Sequence, residues 1–404
     1  MGSAPGEDLA GKNVIYGITG GIAAYKAPLV VRGLKALGID VHTVMTDAAR
    51  YFVTPTTLQT LSNRPVYMEL FPEALSSARE VEHIALADRA DLLLIAPATA
   101  DFIAKMAHGI ADDLLSCVAL ATKAPVLVCP SMNVNMYQHP ATRENLDALK
   151  KMGVFILEPA SGELACGWEG AGRLPEPGRI VAEAKKMLYQ KDLSGISVLL
   201  TCGPTCEDID PVRFITNRST GRMGAALVEA AALRGAQVKV ISGPVSVEYA
   251  PWADVIMVRS AAQMLDSVKE SLAGADVLIM AAAVADYVPE IYRESKIKKG
   301  DKLTAIALKS SPDILSTVKP MKDDTFFVGF AAETENLSDS ARSKLINKGL
   351  DMIVANRVGE PGTGFASDTN SGLILSPEGV LDHFEHVEKE VLAHKILDFI
   401  RERV

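Results

Sequence analysis

The chain has 404 residues, 48% of them apolar and 23% charged, with a formal net charge of -9 and a pI near 5.4. That length allows about two or three domains with separate cores, and the acidic balance argues against nucleic acid or an anionic membrane surface as the main partner. Residues 1–11 lack the basic flank and apolar centre of a signal or transit peptide, and no run approaches the roughly 20 apolar residues of a membrane span.

Residues 13–19 predict a strand that runs into the turn Gly20-Gly21 and a helix over 22–37, closed by Gly38 and followed by a strand over 40–45. His83 falls on a helix just before a strand at 92–96. Alone, a His there is more often a partly buried helix residue than a catalyst. The run 124–129, ended by Pro130, reads as a buried parallel strand, so Asn133 would face the crevice beyond its carboxyl end. Asn after a strand is also ordinary turn chemistry. A strand is expected at 154–157. The glycine-rich stretch 160–174, which carries Cys166, predicts a loop without secondary structure acting as a mobile lid, unless Cys166 is a small buried hydrophobe. Breakers at Pro175-Glu-Pro-Gly178 precede a charged helix over 179–190 and a linker over 191–195, which puts the division near residue 190.

The pattern restarts with a strand over 197–202, Gly203, a long loop, a helix from Gly221 to Leu233 and a strand over 237–242. Further strands are expected at 277–281, 326–329 and 352–355. Two such openings imply two doubly wound α/β units, each with three layers and a predominantly parallel sheet. Neither glycine turn is a clean G-x-G-x-x-G, and no acidic residue ends the second strand to hold a ribose. The nicotinamide-dehydrogenase reading therefore loses ground to a backbone cradle for a single phosphate. The loop 210–224 combines Asn217, Arg213, Arg218, Arg222 and a glycine helix start, which suits an anion, although a solvated linker is the plainer reading. Small residues over 281–286 would let a planar base or ribose approach the backbone. Lys296-Ile-Lys-Lys299 alone is a solvated charged face, whereas Lys344 and Lys348 are spaced to share one helix face. The five cysteines, Cys117, Cys129, Cys166, Cys202 and Cys206, are scattered as reduced thiols of a cytoplasmic protein would be. None has zinc-like spacing, so no protein metal site is expected.

Taken in order, the opening glycine turn, His83-Ile-Ala-Leu86, Pro97-Ala-Thr-Ala-Asp101, Pro130-Ser-Met-Asn-Val-Asn-Met-Tyr137 and Ala165-Cys-Gly167 resemble the motifs of flavin-dependent cysteine decarboxylases, those acting on phosphopantothenoylcysteine above all. Asp101 and Tyr137 depart from that pattern, where Asn and Trp are frequent. The resemblance implies a flavoprotein-type Rossmann-like domain over 1–190 that holds FMN through Gly20, Gly21, Ile22, Thr46, Asp47, Ala48, Thr99, Ala100, Asp101, Phe102 and Ser131. Oxidation of the substrate's thiol side to a thioaldehyde would give the departing carboxylate an electron sink. His83 would act as base or electrostatic partner, Asn133 would grip the carboxylate, and Cys166 would protonate the enethiolate.

The second half resembles phosphopantothenate–cysteine ligases in Thr216-Asn-Arg-Ser-Thr-Gly221, Ala282-Ala-Val-Ala-Asp-Tyr287, Lys296-Ile-Lys-Lys299, Pro312-Asp-Ile-Leu315 and Gly329-Phe-Ala-Ala-Glu-Thr334. Decarboxylase followed by ligase is the order of the bifunctional prokaryotic enzymes of coenzyme A synthesis. The implied Rossmann-like ligase domain, over 191–404, would activate 4'-phosphopantothenate with CTP and Mg2+, release pyrophosphate and couple the acyl group to cysteine. Lys296 would stabilise charge and Asn217 would position the intermediate or the substrate phosphate. Met280, Ala281, Ala282, Asp286, Lys296, Pro312, Asp313, Ile314, Leu315, Phe330, Lys344 and Lys348 would bind the nucleotide. Relatives also imply a homo-oligomer, a dodecamer built from trimer and dimer contacts. The same flavoprotein fold occurs in phosphatase-inhibiting regulatory subunits, a reading that retention of His83, Asn133 and Cys166 speaks against.

Overall fold

The computed structural model describes residues 9–71, 82–163, 169–298, 305–333, 336–358 and 367–404. By its own contacts the chain divides between Tyr189 and Gln190 into two compact units. Among the described residues no helix is long and apolar enough to cross a membrane.

In the first unit, runs rich in Val, Ile and Leu form six parallel strands in the order Val66–Tyr67, Asp40–Met45, Asn13–Ile18, Leu92–Ala98, Val126–Pro130 and Phe155–Ile156. Leu92–Ala98 is buried along its whole length, as a central strand covered on both faces must be. Ile15, Leu93, Ile95 and Val128 join Phe102, Leu115, Leu146 and Leu149 from the helices in one apolar cluster. On the opposite side, Ala27–Ala36 packs against Pro177–Leu188. The strand order reverses between Asn13–Ile18 and Leu92–Ala98, and the crevice of a doubly wound sheet opens at such a reversal.

Two expectations need correction here. The helical run expected over 22–37 is a 3-10 turn, Ile22–Lys26, followed by the α-helix Ala27–Ala36. Pro28 lies in the first turn of that α-helix, where its missing N–H costs nothing and its fixed φ sets the start. The stretch 160–174 is not loop throughout, for Ala160–Glu163 pairs antiparallel with Glu169–Arg173. Cys166 lies outside the described residues, between those two strands.

The main sheet of the second unit has eight strands in the order Asp254–Met257, Gln237–Ser242, Ser197–Cys202, Val277–Met280, Phe326–Glu333, Met352–Arg357, Thr369–Ser376 and Gly379–Glu388. Within it all pair in parallel except Thr369–Ser376 and Gly379–Glu388, which run antiparallel at one edge and were not expected. Two antiparallel pairs stand apart from it, Cys206–Asp208 with Phe214–Thr216, within the stretch expected to be a long loop, and Tyr287–Pro289 with Leu308–Ser310. Strand periodicity sends Leu200 to one face and its neighbour Leu199 to the other. The Leu200 face packs on helices Arg222–Leu233 and Lys389–Arg401, and the Leu199 face on Ala261–Leu272 and Leu337–Lys348. Here the order reverses between Ser197–Cys202 and Val277–Met280.

Candidate active sites

In the first unit the turns at the carboxyl ends of the strands converge. A Cβ on Gly20 would lie 2.2 Å from the Ala48 Cβ, so only glycine admits the turn that follows Asp40–Met45. A Cβ on Gly21 would lie 3.7 Å from Thr99 Cγ2 and 4.0 Å from the Ser131 carbonyl oxygen. Thr19 laces the reversal point: its hydroxyl donates to the Pro97 carbonyl at 2.8 Å and accepts the Thr99 N–H at 3.0 Å. Thr99 in turn caps the helix Ala100–His108 by accepting the Phe102 N–H, and the Ser131 N–H donates to Ala98.

The expected flavin positions are therefore gathered from four turns around one crevice, with Phe102 buried beneath and Asp47, Ala48 and Ile22 exposed at its rim. Asp101 is also exposed and faces Lys105 at 3.7 Å. The Thr46 hydroxyl is buried there without a hydrogen-bond partner. A buried hydroxyl left unpaired is costly, and a cofactor phosphate or ribityl oxygen would satisfy it. These residues fit a flavin mononucleotide.

Asn133 caps the short helix Val134–Gln138, its side-chain oxygen accepting the Asn135 N–H at 2.8 Å. The antiparallel hairpin sits directly on this turn, because the Met132 N–H donates to the Gly172 carbonyl at 2.9 Å. The structure thus brings the strands flanking Cys166 to the Asn133 turn. His83 is the half-buried second residue of Glu82–Arg89, a helix that runs into the amino end of Leu92–Ala98. Its first turn consequently lies toward the carboxyl-end side of the sheet. Tyr137, where relatives often carry Trp, is buried and donates its hydroxyl to Glu158, with the Arg143 guanidinium 5.2 Å from the ring centroid. Burial and the Glu158 carboxylate push the phenol up to about 12, so it remains a donor at neutral pH.

In the second unit a cavity of about 670 Å³ opens at the reversal point. Asn217, Met280, Ala281, Ala282, Asp286, Pro312, Asp313, Ile314, Leu315, Phe330, Lys344 and Lys348 all line it. The Asn217 side-chain amide donates at 3.0 Å to the carbonyls of both Ala283 and Val284, which fixes it against the strand end. Asp313 caps Ile314–Val318 and pairs with Lys348, while Lys344 pairs with Glu333 at 2.7 Å. Lys296 does not line the cavity; it is exposed on the segment that ends in buried Ile297. That segment is tied to the 210–217 loop by Asp210. The Asp210 carboxylate accepts the backbone N–H groups of Val212, Arg213 and Ile297, and the Arg213 guanidinium. Lys299 and Thr334 lie outside the described residues. Sequence reasoning missed Asn356, Asn370 and Lys389, which also line the cavity and lie on or beside the unexpected edge strands. No group of three His, Cys, Asp or Glu side chains suited to a metal occurs among the described residues.

Residues 193–404 match the family described as DNA/pantothenate metabolism flavoprotein C-terminal domain, and residues 3–189 the family described as Flavoprotein. The chain is 45% identical over 400 residues to the coenzyme A biosynthesis bifunctional protein CoaBC of Vibrio parahaemolyticus, covering 98% of this chain and 99% of that protein. The protein of the same name in Bacillus subtilis is 46% identical over 375 residues, 92% of each chain. Among solved structures, the C-terminal domain of a coenzyme A biosynthesis bifunctional protein CoaBC is 37% identical with a TM-score of 0.46, covering 53% of this chain and 97% of that one.

Proposed function

Because the chain belongs to the family of bifunctional coenzyme A biosynthesis proteins, we propose that its second unit ligates cysteine to 4'-phosphopantothenate with CTP and that its first unit decarboxylates the product to 4'-phosphopantetheine with FMN. The observation that carries this reading is the cavity of the second unit, whose lining contains both the candidate positioning amide, Asn217, and the candidate nucleotide contacts.

In the ligase half, the helix Leu337–Lys348 presents Lys344 and Lys348 to the cavity, where their ammonium groups would meet the polyphosphate. Lys344 pairs with Glu333 and Lys348 with Asp313, so nucleotide binding would exchange one anion for another. Small residues at 281–283 let the base lie against the backbone, and Asn217, held by two carbonyls, keeps its amide oxygen for the acyl intermediate or cysteine's amine. Mg2+ enters bound to the triphosphate. Lys296 approaches the acyl phosphate from the segment fastened by Asp210.

In the decarboxylase half, FMN held by these turns would supply a two-electron acceptor and donor for the thiol-bearing carbon of the substrate. The chain's own residues do the rest. Gly20 and Gly21 admit the phosphate and Thr46 bonds it, the Asn133 amide holds the carboxylate, His83 takes the proton and Cys166 gives one back. Exposed Ile22, Tyr25 and Leu29 on the helical run beside the glycine turn support a subunit contact there, in keeping with a dodecamer in the cytoplasm.

Incubating the protein with 4'-phosphopantothenate, cysteine and either CTP or ATP, then identifying products by mass, tests the reading. Phosphopantetheine should accumulate with CTP. His83→Asn should stop at phosphopantothenoylcysteine, with ligation intact. Colourless protein that cannot take up FMN, or no pyrophosphate with either nucleotide, would refute it.

A further inference from the structure

At the reversal point of the second unit the two central strands go on pairing beyond their ends. The Ala281 N–H donates to the Thr201 carbonyl, the Ala283 N–H to Gly203 and the Thr205 N–H to Ala283, which continues the parallel ladder along the cavity wall. The next rung of that ladder would join the Ala285 N–H to the Thr205 carbonyl. It is replaced: the Thr205 hydroxyl accepts the Ala285 N–H at 3.0 Å, and the carbonyl accepts the Thr216 hydroxyl at 2.8 Å. One residue thereby holds both segments that carry candidate ligase contacts. Thr205 is fully buried, does not line the cavity and lies outside every ligase-like motif of the sequence.

This exchange of acceptors bears on Asn217. A trans peptide unit is planar, with its N–H and C=O pointing opposite ways. The Ala285 N–H and the Val284 C=O belong to one such unit. With the N–H held by the Thr205 hydroxyl on one side, the carbonyl is turned to the other, where it accepts the Asn217 side-chain amide at 3.0 Å. The same amide donates to the Ala283 carbonyl, which also takes the Thr205 N–H at 3.3 Å. Both carbonyls that orient Asn217 are therefore set by Thr205, whose own carbonyl fixes Thr216, the residue before Asn217. Without the hydroxyl, the buried Ala285 N–H would lose its acceptor, which is costly. Turning that peptide toward another acceptor would carry the Val284 carbonyl away from Asn217.

We propose that Thr205 is a positioning residue of the ligase site: its hydroxyl sets the Val284–Ala285 peptide plane, and that plane aims the Asn217 amide. The inference rests on the ligase reading and deepens it, because it states what keeps the side-chain oxygen of Asn217 directed at the acyl intermediate or cysteine's amine. Thr205 meets no substrate. Its effect passes through Asn217, which sets it apart from a residue that only supports the fold.

The test is a double-mutant cycle on the full chain, supplied with phosphopantothenate, cysteine and CTP. The readout is the rate of ligated product, phosphopantothenoylcysteine and phosphopantetheine together. Thr205→Val keeps the side-chain shape and removes the acceptor. It should lower kcat at least about tenfold and leave KM for CTP within about threefold, the pattern of an interaction that matters after the ground state has bound. The wall at 281–283 keeps its own bonds to Thr201 and Gly203 in that variant. Thr205→Ser retains the hydroxyl and should retain most of the rate. In an Asn217→Ala chain, Thr205→Val should change the rate by no more than about twofold, because the residue it acts through is gone. Where Thr205→Val is insoluble, Thr205→Cys, whose sulfur is a weak acceptor, carries the same cycle. Wild-type kcat in the valine chain, two losses that multiply, a serine variant as slow as the valine one, or a raised KM for CTP with kcat intact would each overturn the proposal and leave the ligase reading standing. A wild-type chain that makes no ligated product overturns both.

Discussion

Asp210 shows how one side chain fastens two loops of the second unit. Its carboxylate is buried beneath the 210–217 loop, yet one of its donors is the Ile297 N–H, next to Lys296. Burial works to raise this carboxyl, but the N–H groups of Ile297, Val212 and Arg213, with the Arg213 guanidinium, outweigh it and bring the group from an ordinary 3.8 to about 2. A folded pKa below the unfolded one means the contribution is complete above pH 3.8 and is lost as pH falls toward 2. Asp210→Asn should therefore lower the urea midpoint of the second unit at pH 7, and the pH-dependent part of its deficit should shrink by roughly half near pH 3. A deficit constant from pH 7 to pH 3 would show that the carboxylate charge contributes nothing. Lys296 was named from a motif in which it is one of several exposed cations, and its motif gives no sign that Asp210 fastens the neighbouring residue. Lys389 was missed for a related reason: at the head of a charged amphipathic helix it reads as solvated, whereas the fold leaves it buried in the lining of the cavity.

Among the elements, the hairpin Ala160–Glu163 with Glu169–Arg173 carries the sharpest consequence. Gly172 has φ +147, and a Cβ there would stand 2.3 Å from the Met132 carbonyl oxygen. Gly172→Ala therefore cannot keep both the hairpin and its hydrogen bond to Met132, at a cost of about 1–3 kcal/mol from overpacking. Carbon dioxide release should fall at least tenfold (about 1.4 kcal/mol on the barrier), while CTP-dependent ligation is unchanged. Wild-type decarboxylation in that variant would separate the hairpin from the Asn133 turn. This hairpin was illegible in the sequence because Ala, Gly and Glu are depleted in strands and Gly and Ser favour turns, while its contact with the Met132 backbone is a tertiary one. The parallel strands were legible for the opposite reason. Ser197–Cys202 is a short Val- and Leu-rich run between Gly195 and Gly203, and Leu92–Ala98, buried along its whole length, has no polar side chain to interrupt it. Gly379–Glu388 carries the polar pairs Asp382-His383 and Glu385-His386 with Phe384 alone buried, so it lacks the apolar run or strict alternation that marks a strand in sequence.

At the scale of the whole chain, each unit has an apolar interior of its own. Ile15, Leu93 and Val128 anchor the first, and Leu200, Val240, Ile279 and Phe327 the second. Each also has its own ligand crevice at the reversal of its own sheet, so FMN and CTP report on different cores. A ligand that binds only the folded form stabilises it by RT ln(1 + [L]/Kd), about 2.7 kcal/mol at 100 times Kd. For units near 200 residues that amounts to roughly 5–11 °C, taking about 2–4 °C per kcal/mol. Calorimetry of the apoprotein should accordingly resolve two transitions. FMN at saturation should raise one of them, and CTP with Mg2+ should raise only the other. His83→Asn should leave both shifts in place, because His83 is proposed to move a proton rather than to hold either ligand. A single transition that both ligands raise equally would mean that the two interiors unfold as one cooperative body, and the division between Tyr189 and Gln190 would then mark a boundary of contacts without being a boundary of stability.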